Sequence, residues 1–338
     1  MSRVTRGEMT LLEPARSLLD PRLLIETGKG GTGKTTVVAA LARAAAERGR
    51  RVLVVETGRE EHVPRLLAPV SDPVGYQGRE IRPGLWAMRV DPYQALAEYL
   101  GLQLRMPALV SRMMRYKGFR QLMDASPGWR ELITLGKVWH LEQQQTDSGE
   151  PRYDLLLVDA PATGHGLTFL DVPRVVVSAL RAGPLRRHAG WVEEMLRDPE
   201  ATLLVPVALA EELPTRETVE LVERVREGMG VPVDRVVVNA VLERPFPEDL
   251  SDLDEQLARI PDDRVLSGLP PAPVIAGCAS HLRSRYELNQ RYVKEIARAS
   301  GLPTLTLPYL RGGIHRPDDL SLLGELLVGP ATGAVESA

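Results

Sequence analysis

Glu26-Thr27-Gly28-Lys29-Gly30-Gly31-Thr32-Gly33-Lys34-Thr35-Thr36, ETGKGGTGKTT, joins an apolar run of strand length, RLLIET (22–27), to an alanine-rich segment of helical period, KTTVVAALARAAAERG (34–49). Within it Gly28 to Thr35 fits GxxxxGK[ST], and the strand before and helix after are the context that gives this motif its meaning. Glycines let successive backbone N–H groups turn inward without Cβ collisions, making a nest for anions at the positive end of a helix dipole. Gly28, Gly30, Gly31, Thr32 and Gly33 are therefore expected to cradle phosphates through their backbone. Lys34 would reach the β and γ phosphates, the Thr35 hydroxyl would ligate Mg²⁺, and Thr36 would meet the α phosphate. That leaves Lys29, a second lysine where one suffices.

Outward from this loop, strand-length apolar runs alternate with helical segments. The runs are RVLVVE (51–56), LWAMRV (85–90), YDLLLVD (153–159), TLLVPV (202–207), RVVVNAV (235–241) and LPTLTLP (302–308). Most are continuously apolar, as strands buried on both faces are, so the pattern predicts an α/β fold with a mostly parallel sheet and helices on both faces. PTRETVELVERVREGMG (214–230) reads as a helix with proline at its start and glycine at its end. Between Asp91 and Tyr153 two or three helices and no convincing strand are expected, a helical subdomain (91–152) inserted on one edge of the sheet. Residues 1–20 and the tail 329–338 read as loosely ordered, around one domain spanning 21–328.

A net charge of -3 gives no global reason to expect nucleic acid, and the early Arg, Glu and Asp residues are unlike a secretory signal. No run approaches the roughly 20 apolar residues of a membrane span. A single cysteine, Cys278, excludes a disulfide within the chain and suits a reducing cytoplasm. It is expected to be buried or inert. A magnesium ion needs a carboxylate at a nearby strand end, and Asp159 closes YDLLLVD.

GKGGTGKT, with lysine at its second position, resembles the deviant Walker A loop of P-loop ATPases that dimerise around nucleotide. In that group the extra lysine, here Lys29, reaches the partner's phosphates, acting as an arginine finger does. Asp159-Ala-Pro-Ala-Thr-Gly-His-Gly-Leu167 is similar to the DTAPTGHTL signature of arsenical-pump and tail-anchored-protein-targeting ATPases, with the proline displaced by one position. The resemblance continues through LWAMRVDPYQALAEY (85–99), RDPEATLLVPVALAEELPTRETVELV (197–222) and RYVKEIARASGLPTLTLPYL (291–310), covering roughly 22 to 328. It implies a P-loop NTPase fold, ATP/ADP and Mg²⁺ as ligands, and γ-phosphate sensing at Gly164. It also implies adenine recognition by Asn239, with Pro308 and Tyr309 against the base. A structural strand-end amide and ordinary loop packing are the competing readings of these last three.

Three departures from the family matter. Where members carry STDPAHS after the second strand, this chain has Glu56-Thr-Gly-Arg-Glu-Glu-His62, so Gly58 stands at the water-orienting aspartate's position and Glu56, Glu60 and Glu61 are the candidate substitutes, with longer side chains that position water less tightly. Slow hydrolysis is the expected result. Cys278 alone cannot build the family's metalloid or zinc sites. The extra helical insert of the targeting factor is missing between Pro173 and Arg197.

The segment LQLRMPALVSRMMRYKGFRQLM (102–123) places Leu102, Met106, Leu109, Val110, Met113 and Met114 on one helical stripe, flanked by Arg105, Arg112, Arg115, Lys117 and Arg120. It reads as a core face, a site for a hydrophobic client or membrane-protein partner, or a surface for lipid or nucleic acid. The expectation is a cytoplasmic, dimerising Mg-ATPase, as a homodimer or with a paralogue. A regulatory binding module with vestigial hydrolysis and a partitioning-type ATPase are the alternatives.

Overall fold

The computed structural model describes residues 16–68, 72–247, 252–260, 270–314 and 317–329. Among the described residues the strands are β1 (Leu23–Gly28), β2 (Val52–Glu56), β3 (Arg79–Arg82), β4 (Leu85–Arg89), β5 (Leu155–Ala162), β6 (Thr202–Leu209), β7 (Val236–Val241) and β8 (Thr304–Pro308). They lie in the order β3-β4-β2-β5-β1-β6-β7-β8. All described pairings are parallel except β3 with β4. The seven expected strands are present. The eighth, β3, is the polar stretch REIR, which returns antiparallel to β4 across the Pro83-Gly84 turn and forms an edge that needs no apolar residues.

The helices are α1 (Lys34–Glu47), α2 (Val63–Leu67), α3 (Pro92–Leu104), α4 (Pro107–Arg115), α5 (Lys117–Ala125), α6 (Trp129–Glu142), α7 (Thr163–Ala179), α8 (Pro184–Arg197), α9 (Glu212–Glu223), α10 (Leu253–Ala258), α11 (Ala272–Ser300) and α12 (Pro317–Val328). Alternate strand residues divide the core. Leu24, Val54 and Leu157 point to the face covered by α1, α2 and α12, while Ile25, Val55 and Val158 point to the face covered by α6, α7, α8 and α9. Alanine lets α1 lie close to the sheet, and eight of its fourteen residues are buried. α9 begins at Glu212, before Pro214, and Arg224–Met229 continues it as a π-helical turn that ends at Gly230.

Two boundary expectations change. Leu18 and Leu19 are buried against the α1 side of the sheet, so residues 16–20 belong to the packed body; residues 1–15 and 330–338 lie outside the described residues. Four helices, α3 to α6, occupy the inserted region after β4, where two or three were expected.

The single stripe over 102–123 is also corrected. The chain breaks at Arg105, whose φ of 51° is left-handed, and Met106 leaves the helical region ahead of Pro107. A second break falls at Tyr116. Of the six stripe residues only Val110 is buried; Leu102, Met106 and Leu109 are exposed, as are Tyr116 and Leu122. The core-face reading therefore fails for most of this segment. Cys278 likewise lies exposed on α11 and not buried.

Candidate nucleotide-binding site

β1 is central, with β5 on one side and β6 on the other, so the loop leaving its carboxyl end sits at the point where successive strands diverge. A Cβ on Gly28 would stand 2.2 Å from the Val207 carbonyl oxygen, and one on Gly33 would stand 2.1 Å from Asn239 Nδ2. Both glycines also have positive φ, 151° and 90°. Conformation disfavours a side chain at both positions, and at Gly28 contact with backbone excludes one as well. Gly30 and Gly31 form the exposed tip of the loop, and Gly33 precedes α1 directly.

Within the loop Lys34 Nζ donates to the carbonyls of Gly28 (3.0 Å) and Lys29 (2.9 Å), curling over the hollow that its backbone encloses. Burial lowers the Lys34 pKa, with Asp159 opposing the shift. The Thr32 hydroxyl donates to the Lys29 carbonyl at 3.0 Å, and Asn239 Nδ2 donates to the Thr32 carbonyl at 2.9 Å. Asn239 thus braces the loop through its amide nitrogen. Thr36 lies half-buried in the first turn of α1.

The Thr35 hydroxyl donates to Asp159 Oδ2 at 2.8 Å, bringing together the two expected metal ligands. Burial raises the Asp159 pKa, although Thr35 and Lys34 pull it back. Asp159 is in register with Glu26 on one side and Glu56 on the other, so three carboxyl groups share one rung and one face of the sheet. Glu26 is fully buried, neither of its carboxyl oxygens has a hydrogen-bond partner among the described residues, and burial followed by the Asp159 charge raises its pKa. Hydroxyl and carboxylate oxygens are the donors a hard divalent cation takes, so the residues present fit Mg²⁺. Neither Glu26 nor this rung is legible without knowing the strand register.

The three substitutes for the missing aspartate differ. Glu56 Oε1 accepts the backbone N–H groups of His62 (2.7 Å) and Val63 (2.9 Å), capping α2. Glu61 accepts from the N–H groups of Val74 and Gly75, both at 2.8 Å. Glu60 is exposed beside Gly58 and takes part in neither arrangement.

Lys29 Nζ pairs with Glu217 Oε1 of α9 at 2.9 Å, a partner that the sequence did not suggest. Gly164 falls in the first turn of α7, immediately after β5. Pro308 ends β8 in register with Val241, and Tyr309 donates its N–H to the Val241 carbonyl at 2.8 Å while its ring is exposed. Both therefore sit near the strand end that carries Asn239.

A family model described as anion-transporting ATPase matches residues 21–189. ATPase BagA of Mycobacterium tuberculosis is 31% identical over 319 residues, covering 90% of this chain and 91% of that protein. The arsenical pump-driving ATPase of Escherichia coli is 28% identical over 74% of this chain and 45% of its own length. ATPase GET3 of Kluyveromyces lactis is 25% identical over 67% of this chain and 74% of its own. With the phosphate loop, the strand-end aspartate and these matches in hand, the chain belongs to the anion-transporting ATPase family and is an ATP-binding ATPase of that family.

Proposed function

We propose that this ATPase works as a Mg·ATP-dependent dimer whose nucleotide state repositions the helical subdomain, and that the α4–α5 hairpin there holds a hydrophobic client or a membrane-protein partner. The observation that carries this reading is a groove lined by Leu109, Met113, Tyr116, Phe119 and Leu122 and bordered by Arg112 and Arg115, in which Leu109, Tyr116 and Leu122 are exposed. Contiguous exposed apolar surface of this kind marks an interaction site. A peptide of membrane-anchor hydropathy, photo-cross-linked through position 109, tests it. Labelling that depends on ATP is expected; labelling equal at an exposed polar position such as Glu47 overturns it.

Lys34 and the loop backbone bind the phosphates, and Asn239, Pro308 and Tyr309 receive adenine. Thr35 and Asp159 hold Mg²⁺, which when bound neutralises phosphate charge and lets in-line attack proceed. Gly164, at the head of α7, passes the state of the phosphates to α6 and α8, against which α7 packs. Lys29 serves the partner's nucleotide. Its pair with Glu217 supports this reading, because both side chains are 32% exposed and such a pair is worth only about 0–1 kcal/mol. A phosphate presented across a dimer displaces Glu217 at little cost.

Slow hydrolysis is the second reading, favoured by the hydrogen bonds that commit Glu56 and Glu61 elsewhere. Glu60 then orients the attacking water from a longer side chain than the usual aspartate. Steady-state turnover comparable to ordinary family members, or unchanged turnover in Glu60→Gln, counts against it.

A further inference from the structure

A cavity of about 300 Å³ opens between α3, α6 and α8, separate from the phosphate loop and from the α4–α5 hairpin. Its rings form a continuous set. Trp139 stacks on Trp191 at 5.1 Å and 14°, His188 lies 4.8 Å from Trp191, and Tyr99 meets His188 edge-on at 4.8 Å. The chain has four tryptophans, and two of them line this one space.

Gly136 supplies the second observation. It lies inside α6 and lines the cavity, its φ is not positive, and a Cβ built there meets nothing within 4 Å. No turn and no close packing requires glycine at this point, and glycine weakens a helix interior. What its missing side chain provides is room.

The polar groups indicate the occupant. Glu98 is held by Lys137 at 2.8 and 2.9 Å and accepts the Tyr76 hydroxyl, so the charge at that end is already balanced. His188 makes ring contacts, and neither of its nitrogens has a hydrogen-bond partner among the described residues. Burial, then Arg187, lowers its pKa, favouring the neutral ring that offers one donor and one acceptor.

We infer that this cavity binds a small, uncharged, planar aromatic molecule, stacked on the Trp139–Trp191 pair and hydrogen-bonded to His188. The inference does not rest on dimerisation or on client binding, and it stands or falls separately from both.

Saturation-transfer NMR and calorimetry with 2-naphthol as the probe, compared with cyclohexanol and benzamidinium, test it on the full-length chain. Saturable binding of 2-naphthol with weaker binding of both comparators is expected. Gly136→Leu should weaken 2-naphthol by about tenfold or more by occupying its space, and Trp191→Ala should weaken it while leaving ATP turnover unchanged. Because the Cβ position is open, Gly136→Leu should melt no lower than the parent chain. Absence of saturable binding, equal binding of cyclohexanol or benzamidinium, full affinity in both variants, or a marked loss of melting temperature in Gly136→Leu overturns the proposal.

Discussion

Gly28 and Gly136 make a useful pair. At Gly28 a Cβ would collide with a backbone carbonyl at 2.2 Å, whereas at Gly136 it would meet nothing. The first glycine belongs to a region where groups are already committed: Lys34, Thr35, Asn239, Glu56 and Glu61 each have a named partner. The second belongs to helices whose apolar and aromatic side chains line open space. In the first region most polar groups hold one another in place around the phosphate loop, with Glu26 the exception, while in the second the side chains surround a space they do not fill. The same residue type therefore has opposite meanings, and substitution separates them: Gly28→Ala must damage the fold of the loop, while Gly136→Ala should tighten α6, by about 0.5–1 kcal/mol on helix propensity alone.

The largest expected effect falls on Lys29. Lys29→Ala should retain nucleotide affinity yet lose turnover by about 10³-fold, the scale of an arginine finger; unchanged turnover would remove the reason for the second lysine. Gly28→Ala comes next. Collision with the Val207 carbonyl should cost nucleotide affinity by about 10²-fold, read by calorimetry, because misplacing the loop removes several charge-assisted hydrogen bonds together. Full affinity there would mean that the committed region yields more easily than its contacts indicate.

Glu217→Gln should have a smaller effect in the opposite direction. Releasing Lys29 from its own chain should raise the ATP-dependent dimer fraction by a few-fold at most, since the exposed pair is worth about 0–1 kcal/mol. Light scattering with and without Mg·ATP measures this, and a lower dimer fraction would show that Glu217 helps the interface.

The smallest effect concerns His188. Its pKa in the fold lies below the usual 6.5, so the unfolded chain binds that proton more readily. The stability it contributes is present above about pH 6.5 and is lost as pH falls toward the lowered value. Melting temperature should therefore decline less between about pH 7 and pH 5 in His188→Gln than in the parent chain.

The committed region was largely legible in the sequence, and the open region was not. Gly28 to Thr35 and Asp159 are identified by local pattern, because a phosphate loop and a strand-end carboxylate each depend on consecutive residues. Apolar runs likewise identify seven strands, while REIR escapes because an edge strand needs no hydrophobic signature. Only the Pro83-Gly84 turn ahead of LWAMR hints at it. Pro107 was visible and should have broken the 102–123 stripe, since the residue before a proline avoids helical geometry. Glu26 beside Asp159, Lys29 against Glu217 and the stacking of Trp139 on Trp191 all depend on register or tertiary packing between distant segments. No periodicity within one segment encodes such contacts.

The central claim, that Lys29 acts on a neighbour's nucleotide, is tested most directly by mixing two inactive chains. A Lys29→Ala chain keeps Lys34, Thr35 and Asp159 for its own nucleotide, while an Asp159→Asn chain keeps Lys29 to lend. If Lys29 works across the dimer, ATP turnover of the mixture should rise well above the sum of the separate variants. Turnover no greater than that sum, at concentrations where light scattering shows mixed dimers, would contradict the account.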